Sequence, residues 1–191
     1  PWYRAATVVV GTTTYDDTAA TISTTTLTDT TGLYIPPPSA KYIITDGAVL
    51  LMAGALESSA ATGQTTPVQN RVWFTRPLGQ TDISDDESIT QTTDLKNYID
   101  IGDPGPITGL AGPYYGDIFV FKANSIYKLV PTGSLTAPYQ RVLVHGSIGA
   151  LDQVAIATGL WKGLPAIYFA SSRNIWVLQA QGISQIGDDI L

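Results

Sequence analysis

The stretch "DIFVFKANSIYKLV", residues 117–130, is followed 49 positions on by "AIYFASSRNIWVL", residues 166–178, which has the same apolar order. Laid over each other, Ile118, Phe119, Ile126, Tyr127 and Leu129 fall on Ile167, Tyr168, Ile175, Trp176 and Leu178, with a polar gap between the apolar halves of both copies. Two short apolar runs rich in β-branched and aromatic residues, joined by a polar turn, read as a β-hairpin. The surroundings repeat as well. "PITGLAGPYYGDIFVFKANSIYKLV" followed by "YQRVLVHG" gives strand, Gly/Pro turn, strand, polar turn, strand and a last strand, and "DQVAIATGLWKGLPAIYFASSRNIWVLQAQGISQIG" returns the same order. Each unit of about 49 residues is expected to be a four-stranded antiparallel meander. A sheet with two apolar faces cannot bury both alone, so units of about 40–50 residues stack side by side, as propeller blades do.

A weaker copy precedes these two. "KYIITDGAVLLMAG" predicts strand, an Asp46-Gly47 tight turn and strand, and "NRVWFTRP" at 70–77 predicts a further strand across the polar loop "ESSAATGQTT". "AVLLMAG" and "RVWFTRP" then form the central strands of a first blade with an enlarged turn. The fold class expected is all-β and β-propeller-like, with about three blades over residues 41–191 and a β-sandwich as the alternative. Helix is expected only over "TTDLKNYIDI", 92–101, for one or two turns.

Residues 1–40 form a separate region. Twelve threonines fall in the first 31 residues, interspersed with Val8, Val9, Val10, Ile22 and Leu27, which favours two β-strands over a Thr-rich stalk. "YIPPPSAKY" at 34–42 should act as a rigid connector, because three prolines donate no ladder hydrogen bonds. The chain opens at Pro1 and ends on the apolar stretch "ISQIGDDIL", and is expected to be an excerpt of a longer one.

Of the 191 residues, 44% are hydrophobic and 14% charged, with a net charge of −6 and no cysteine. That is enough apolar surface for a substantial core. The negative charge repels nucleic acid and anionic membranes. Without cysteine there is no disulfide framework and no thiolate metal site. The longest apolar run, "AVLLMAGAL" at 48–56, falls well short of the roughly 20 residues of a membrane-spanning helix.

Motifs for chemistry are sparse. His145 is the single histidine; although Ser147 lies two residues away, no Gly-x-Ser-x-Gly elbow surrounds the serine. Between Asp82 and Asp103 seven carboxylates face only Lys96, giving this segment a charge of −6. Within it, Asp82, Asp85, Asp86 and Glu87 are the candidate oxygen ligands for a hard cation, but they lack the glycine and distal glutamate of an EF-hand loop, and a solvated acidic loop is the plainer reading. Asp94, Asp100 and Asp103 supply carboxylate pairs of the kind glycoside hydrolysis uses, without a distinguishing pattern. "IGDPGPITG" has neither a phosphate-loop ending nor a dinucleotide fingerprint and reads as a turn. Trp73, Phe74, Tyr114, Tyr115, Phe119, Phe121, Tyr127, Tyr168 and Trp176 offer an aromatic platform, which packing between blades explains as well. Arg71, Arg76, Arg141 and Arg173 are scattered singly. No catalytic residue, cofactor or metal site is assigned.

"NRVWFTRPLGQTDIS", "IDIGDPGPITGLAGPYYGDIFVFKANSIYKL", "HGSIGALDQVAIATG" and "AIYFASSRNIWVLQAQGISQIGDDI", taken in order, resemble the β-propeller proteins of tailed-bacteriophage virions, meaning the tail nozzle and related tail or head-to-tail connector components. The resemblance covers about residues 70–190. It implies a non-enzymatic subunit of a homo-oligomeric ring, six-fold, around the DNA exit channel, synthesised in the host cytoplasm and built into the virion. Its partners would be other virion proteins, namely connector, adaptor or fibre subunits, with DNA passing but not specifically bound. An acidic lining formed by residues 82–103 would let DNA slide. Two other expectations stand beside it. One is a receptor- or carbohydrate-binding propeller of a tail or adhesin. The other is a propeller glycosidase, for which the sialidase-type Ser-x-Asp-x-Gly-x-Thr-Trp box is missing from the chain.

Overall fold

The computed structural model of the protein describes residues 34–35, 39–47, 49–58, 65–75, 89–90, 97–102, 104–134 and 137–186. The Thr-rich strands expected in the first 31 residues and the cluster Asp82, Asp85, Asp86 and Glu87 lie outside the described residues. The fold is all-β. Strands β1 (Tyr34–Ile35), β2 (Tyr42–Thr45), β3 (Leu50–Ser58), β4 (Thr65–Phe74), β5 (Ile89–Thr90) and β6 (Tyr98–Asp100) come first, followed by β7 (Ile107–Tyr114), β8 (Asp117–Lys122), β9 (Ile126–Pro131) and β10 (Tyr139–His145). One short 3₁₀ turn, Gln153–Ala155, leads into β11 (Ile156–Trp161), β12 (Leu164–Ala170), β13 (Ile175–Gln179) and β14 (Gly182–Gln185).

Twelve of these strands make three four-stranded antiparallel sheets. They are ordered β2-β3-β4-β6, β7-β8-β9-β10 and β11-β12-β13-β14, while β1 pairs with β5. The quoted repeat occupies the centres of the second and third sheets at matching register. Ile118 pairs with Leu129 and Val120 with Tyr127, as Ile167 pairs with Leu178 and Phe169 with Trp176. In the first sheet the like pair is Met52 with Trp73.

Three sequence expectations are corrected. Part of the helix expected over 92–101 is strand, because Tyr98–Asp100 pairs with Arg71–Trp73 as the fourth strand of the first sheet. Tyr and Ile suit a pleated surface, and pairing to an existing edge overrides a weak local helical preference. The loop "ESSAATGQTT" is shorter than expected, since Glu57–Ser58 and Thr65–Thr66 continue the β3–β4 ladder. The turn at Asp46-Gly47 is a four-residue loop closed by pairing of Thr45 with Leu50, not a two-residue one, and the Asp46 carboxylate holds it by accepting the Val49 N–H at 2.8 Å.

The sheets pack face on face in chain order. Leu51, Ala53, Val72 and Phe74 share one core with Leu110, Ile118, Val120 and Leu129. Ala111, Phe119, Phe121 and Ile126 share a second with Ile167, Phe169 and Leu178. The face each sheet turns toward the next in sequence is its forward face, and the opposite one its rear face. A two-layer sandwich leaves each sheet a solvated side. β8 has none, and Ile118 through Lys122 are all buried. The first strands converge, with β7 lying against β2 on one side and β11 on the other. Stacked meanders whose first strands converge are the arrangement of propeller blades, of which a closed ring has about four to eight. Burying one large apolar side chain is worth about 1.5–3 kcal/mol, so each interface rests mainly on these rows.

Candidate functional site

The polar groups of this chain gather where sheets meet. At the first junction Tyr139, from β10, reaches back to the β2–β3 loop and donates its hydroxyl to Asp46 Oδ2 at 2.5 Å, while its ring packs edge-on against Phe74 at 5.4 Å. Burial, together with the adjacent Asp46 carboxylate, pushes the Tyr139 phenol well above its ordinary pKa, so the hydroxyl stays a donor. Lower along the same junction Asp100 receives Arg71 in a two-point contact, Nε at 2.7 Å and Nη2 at 3.2 Å, and Arg141 Nη1 donates to the Asp100 carbonyl. The Arg71 guanidinium also lies 3.6 Å over the Tyr98 ring, which meets Trp73 edge-on at 4.8 Å. Two of the arginines that look scattered in the sequence thus converge on one aspartate from different sheets. Planar two-point pairing and stacking on aromatic rings are what guanidinium does better than ammonium. Asp100, the one described carboxylate of the acidic segment besides those outside the described residues, has its charge matched by Arg71.

The second junction is held through backbone. β7 is an edge strand, and the Gln153 side chain occupies part of that edge. Gln153 Oε1 accepts the Leu110 N–H at 2.7 Å, and Nε2 donates to the Leu110 carbonyl at 3.0 Å. Thr108 donates its hydroxyl to the Ala150 carbonyl at 2.7 Å, and the Ala150 N–H donates to the Lys122 carbonyl at 3.0 Å. The approach is close enough to require glycine at 149, where an added Cβ would sit 1.8 Å from the Lys122 carbonyl oxygen. Sequence reading gave no sign of Gln153, whose role depends on a strand edge more than forty residues earlier in the chain.

At one rim of the second and third sheets, equivalent turns carry aromatic residues. Tyr115 and Gly116 (φ 52° and 84°) and Lys162 and Gly163 (φ 52° and 80°) both take the left-handed pair of a tight hairpin. Tyr115 is 68% exposed and meets Tyr114 edge-on at 4.7 Å. Tyr114 donates its hydroxyl to the Pro165 carbonyl at 2.6 Å, which joins this rim to the third sheet. Desolvation raises the Tyr114 pKa first, with Tyr115 adding to it. The Lys162 ammonium lies 5.7 Å from the Trp161 ring centre.

The remaining sequence candidates separate into three groups. Asp82, Asp85, Asp86, Glu87, Asp94, Asp103 and Arg76 lie outside the described residues. His145 ends β10 as expected, and its Nδ1 accepts the Ser147 N–H at 3.3 Å, a contact local to the turn. Of the aromatics, Trp73, Phe74, Phe119 and Phe121 are buried, whereas Tyr115 is open. Among the described residues no three His, Asp or Glu side chains are grouped as metal ligands, and no helix is long and apolar enough to cross a membrane. Neither a protein-family model nor a curated protein matches the chain.

Proposed function

We propose that this chain is a structural virion protein, part of a tail nozzle or connector ring around the DNA exit channel of a tailed bacteriophage, and that it does no catalysis. What supports the reading most is the stacking of four-stranded sheets over the segment whose sequence resembles those propeller proteins. Its polar side chains at the junctions act on the protein itself: Arg71, Asp100, Arg141, Asp46, Tyr139 and Gln153 tie one sheet to the next. A net charge of −6 suits a wall along which DNA must slide. In this reading copies form a closed ring, six-fold by the resemblance, and meet connector, adaptor or fibre subunits. A test is mass spectrometry of purified virions, with electron microscopy of particles made without the chain. The proposal expects the protein in the particle and filled heads that lack the terminal tail structure. Its absence from purified particles would overturn the reading.

The exposed Tyr115 favours a second reading, a carbohydrate- or receptor-binding module, because a rigid open aromatic ring stacks on sugar faces. Glycan-array binding that is lost in Tyr115→Ala would favour it over the first.

A further inference from the structure

A strand at the edge of a sheet presents a row of backbone groups that can pair with another chain, and folded proteins cover, shorten or charge such edges. Most edges of this chain follow that rule. On β7 the Gln153 side chain takes both the N–H and the carbonyl of Leu110. On β11 the Tyr168 hydroxyl donates to the Leu160 carbonyl at 2.5 Å, and the ring reaches it across Gly159, where an added Cβ would lie 3.3 Å away. The edge strands β2, β6 and β14 are only four, three and four residues long.

Strand β10, the outer edge of the second sheet, is the exception. It runs for seven residues, Tyr139–His145, without lysine or proline. The Thr132 N–H donates to the Pro138 carbonyl at 2.9 Å, and the β9–β10 register carries that alternation along the strand, so Gln140 and Val142 bond to β9. The N–H and carbonyl of Arg141 and Leu143 therefore point outward, and among the described residues nothing bonds to them. Gln140, Arg141, Val142 and Leu143 are exposed in succession, Val142 by 38% and Leu143 by 55%. Neither of the remaining guards acts at the centre of the strand. The Arg141 guanidinium turns away to the Asp100 carbonyl, and the one register shift falls after Leu143.

We infer that β10 is an association edge, and that its occupant is β10 of a second copy, paired antiparallel about a two-fold axis at Val142. In that register the outward groups of Arg141 meet those of Leu143 in the second copy, so donors and acceptors match in both directions. Val142 meets Val142 on the forward face. On the rear face each Leu143 lies beside the aliphatic stem of an arginine. A register centred on Arg141 would oppose two guanidinium groups, which is destabilising. The strand holds no carboxylate, so the net charge of −6 is not concentrated at this contact. An interface that uses the same strand on both partners closes at two copies. The inference goes beyond the ring reading and does not rest on it.

The test uses the full-length protein, with mass photometry and sedimentation over a dilution series and amide hydrogen exchange at both ends of it. In the wild type the Arg141 and Leu143 amides should exchange fast when dilute and slowly when concentrated, as a two-copy unit forms. Leu143→Pro removes an outward donor without breaking the β9 ladder and should abolish the pairing. Leu143→Lys sets like charges opposite each other twice and should weaken it by about tenfold or more, with thermal unfolding near that of the wild type because the site is half open. Leu143→Glu sets a carboxylate opposite Arg141 and should retain the pairing, which loss of apolar contact alone would not explain. Two-copy units and nothing larger would uphold the pairing and contradict the ring. Assembly unchanged in Leu143→Pro and Leu143→Lys would overturn the pairing and leave the ring reading standing. Protection of the two amides by a strand of another protein, with the wild-type chain alone unpaired at every concentration, would overturn self-pairing.

Discussion

Ile126 and Ile175 are the same residue at the same place in two copies of one repeat, yet one is fully buried against a neighbouring sheet and the other is 49% exposed. Truncating both to alanine converts that difference into a number. Ile126 is fully buried, and Ile126→Ala removes three carbons at about 0.8 kcal/mol each plus a cavity that the surrounding Phe121, Ile167 and Phe169 cannot fill. The expected loss is about 3–4 kcal/mol. Ile175 is 49% exposed, so Ile175→Ala loses about half of the transfer term and leaves no closed cavity, for about 1 kcal/mol. Urea unfolding followed by tryptophan fluorescence, at protein concentrations low enough to keep the chain monomeric, reads both values under identical conditions. At about 2–4 °C per kcal/mol for a chain of this size, the melting temperatures should fall by about 6–16 °C and 2–4 °C. Equal losses at the two positions would refute the reasoning, because they would mean that the third sheet does not cover the second.

Three other substitutions probe the junctions. Gly149→Ala should cost at least about 3 kcal/mol, since the new Cβ meets backbone at Lys122 and Ala123, which cannot rotate away; chemical denaturation measures it. Gln153→Ala leaves the Leu110 N–H and carbonyl without their side-chain partner and should lower stability by about 1–3 kcal/mol, with faster amide exchange at Leu110 as the specific sign. Tyr139→Phe should cost about 1–3 kcal/mol near neutral pH by removing the buried hydrogen bond from the Tyr139 hydroxyl to Asp46 Oδ2. It should also change the alkaline response. The folded-state pKa of Tyr139 lies above the unfolded value of about 10, so the stability tied to its neutral form is fully present below pH ~10 and is lost as pH rises beyond it. A stability-pH profile of Tyr139→Phe should lack the part of the alkaline decline that this group causes.

The β-architecture was legible because the repeat sits in central strands, where Ile118 and Leu129, or Ile167 and Leu178, are buried and must be apolar wherever the unit recurs. Strand β6 was not, since three residues carry no period and Tyr98–Asp100 is strand only through its pairing with β4. The junctions were hidden for a different reason. Asp46 and Tyr139 are 93 positions apart, and nothing local marks either as a partner of the other. Arg71 and Arg141 look isolated until β4, β6 and β10 bring them to Asp100. Ile126 and Ile175 show the limit most plainly, because identical residues in matching patterns cannot reveal which of the two is covered by a neighbouring sheet.

The measurement that tests the account most directly is cryo-electron microscopy of the full-length assembled protein. The account predicts a closed ring of copies around an open axial channel. Isolated single copies, or an assembly with no axial channel, would contradict it.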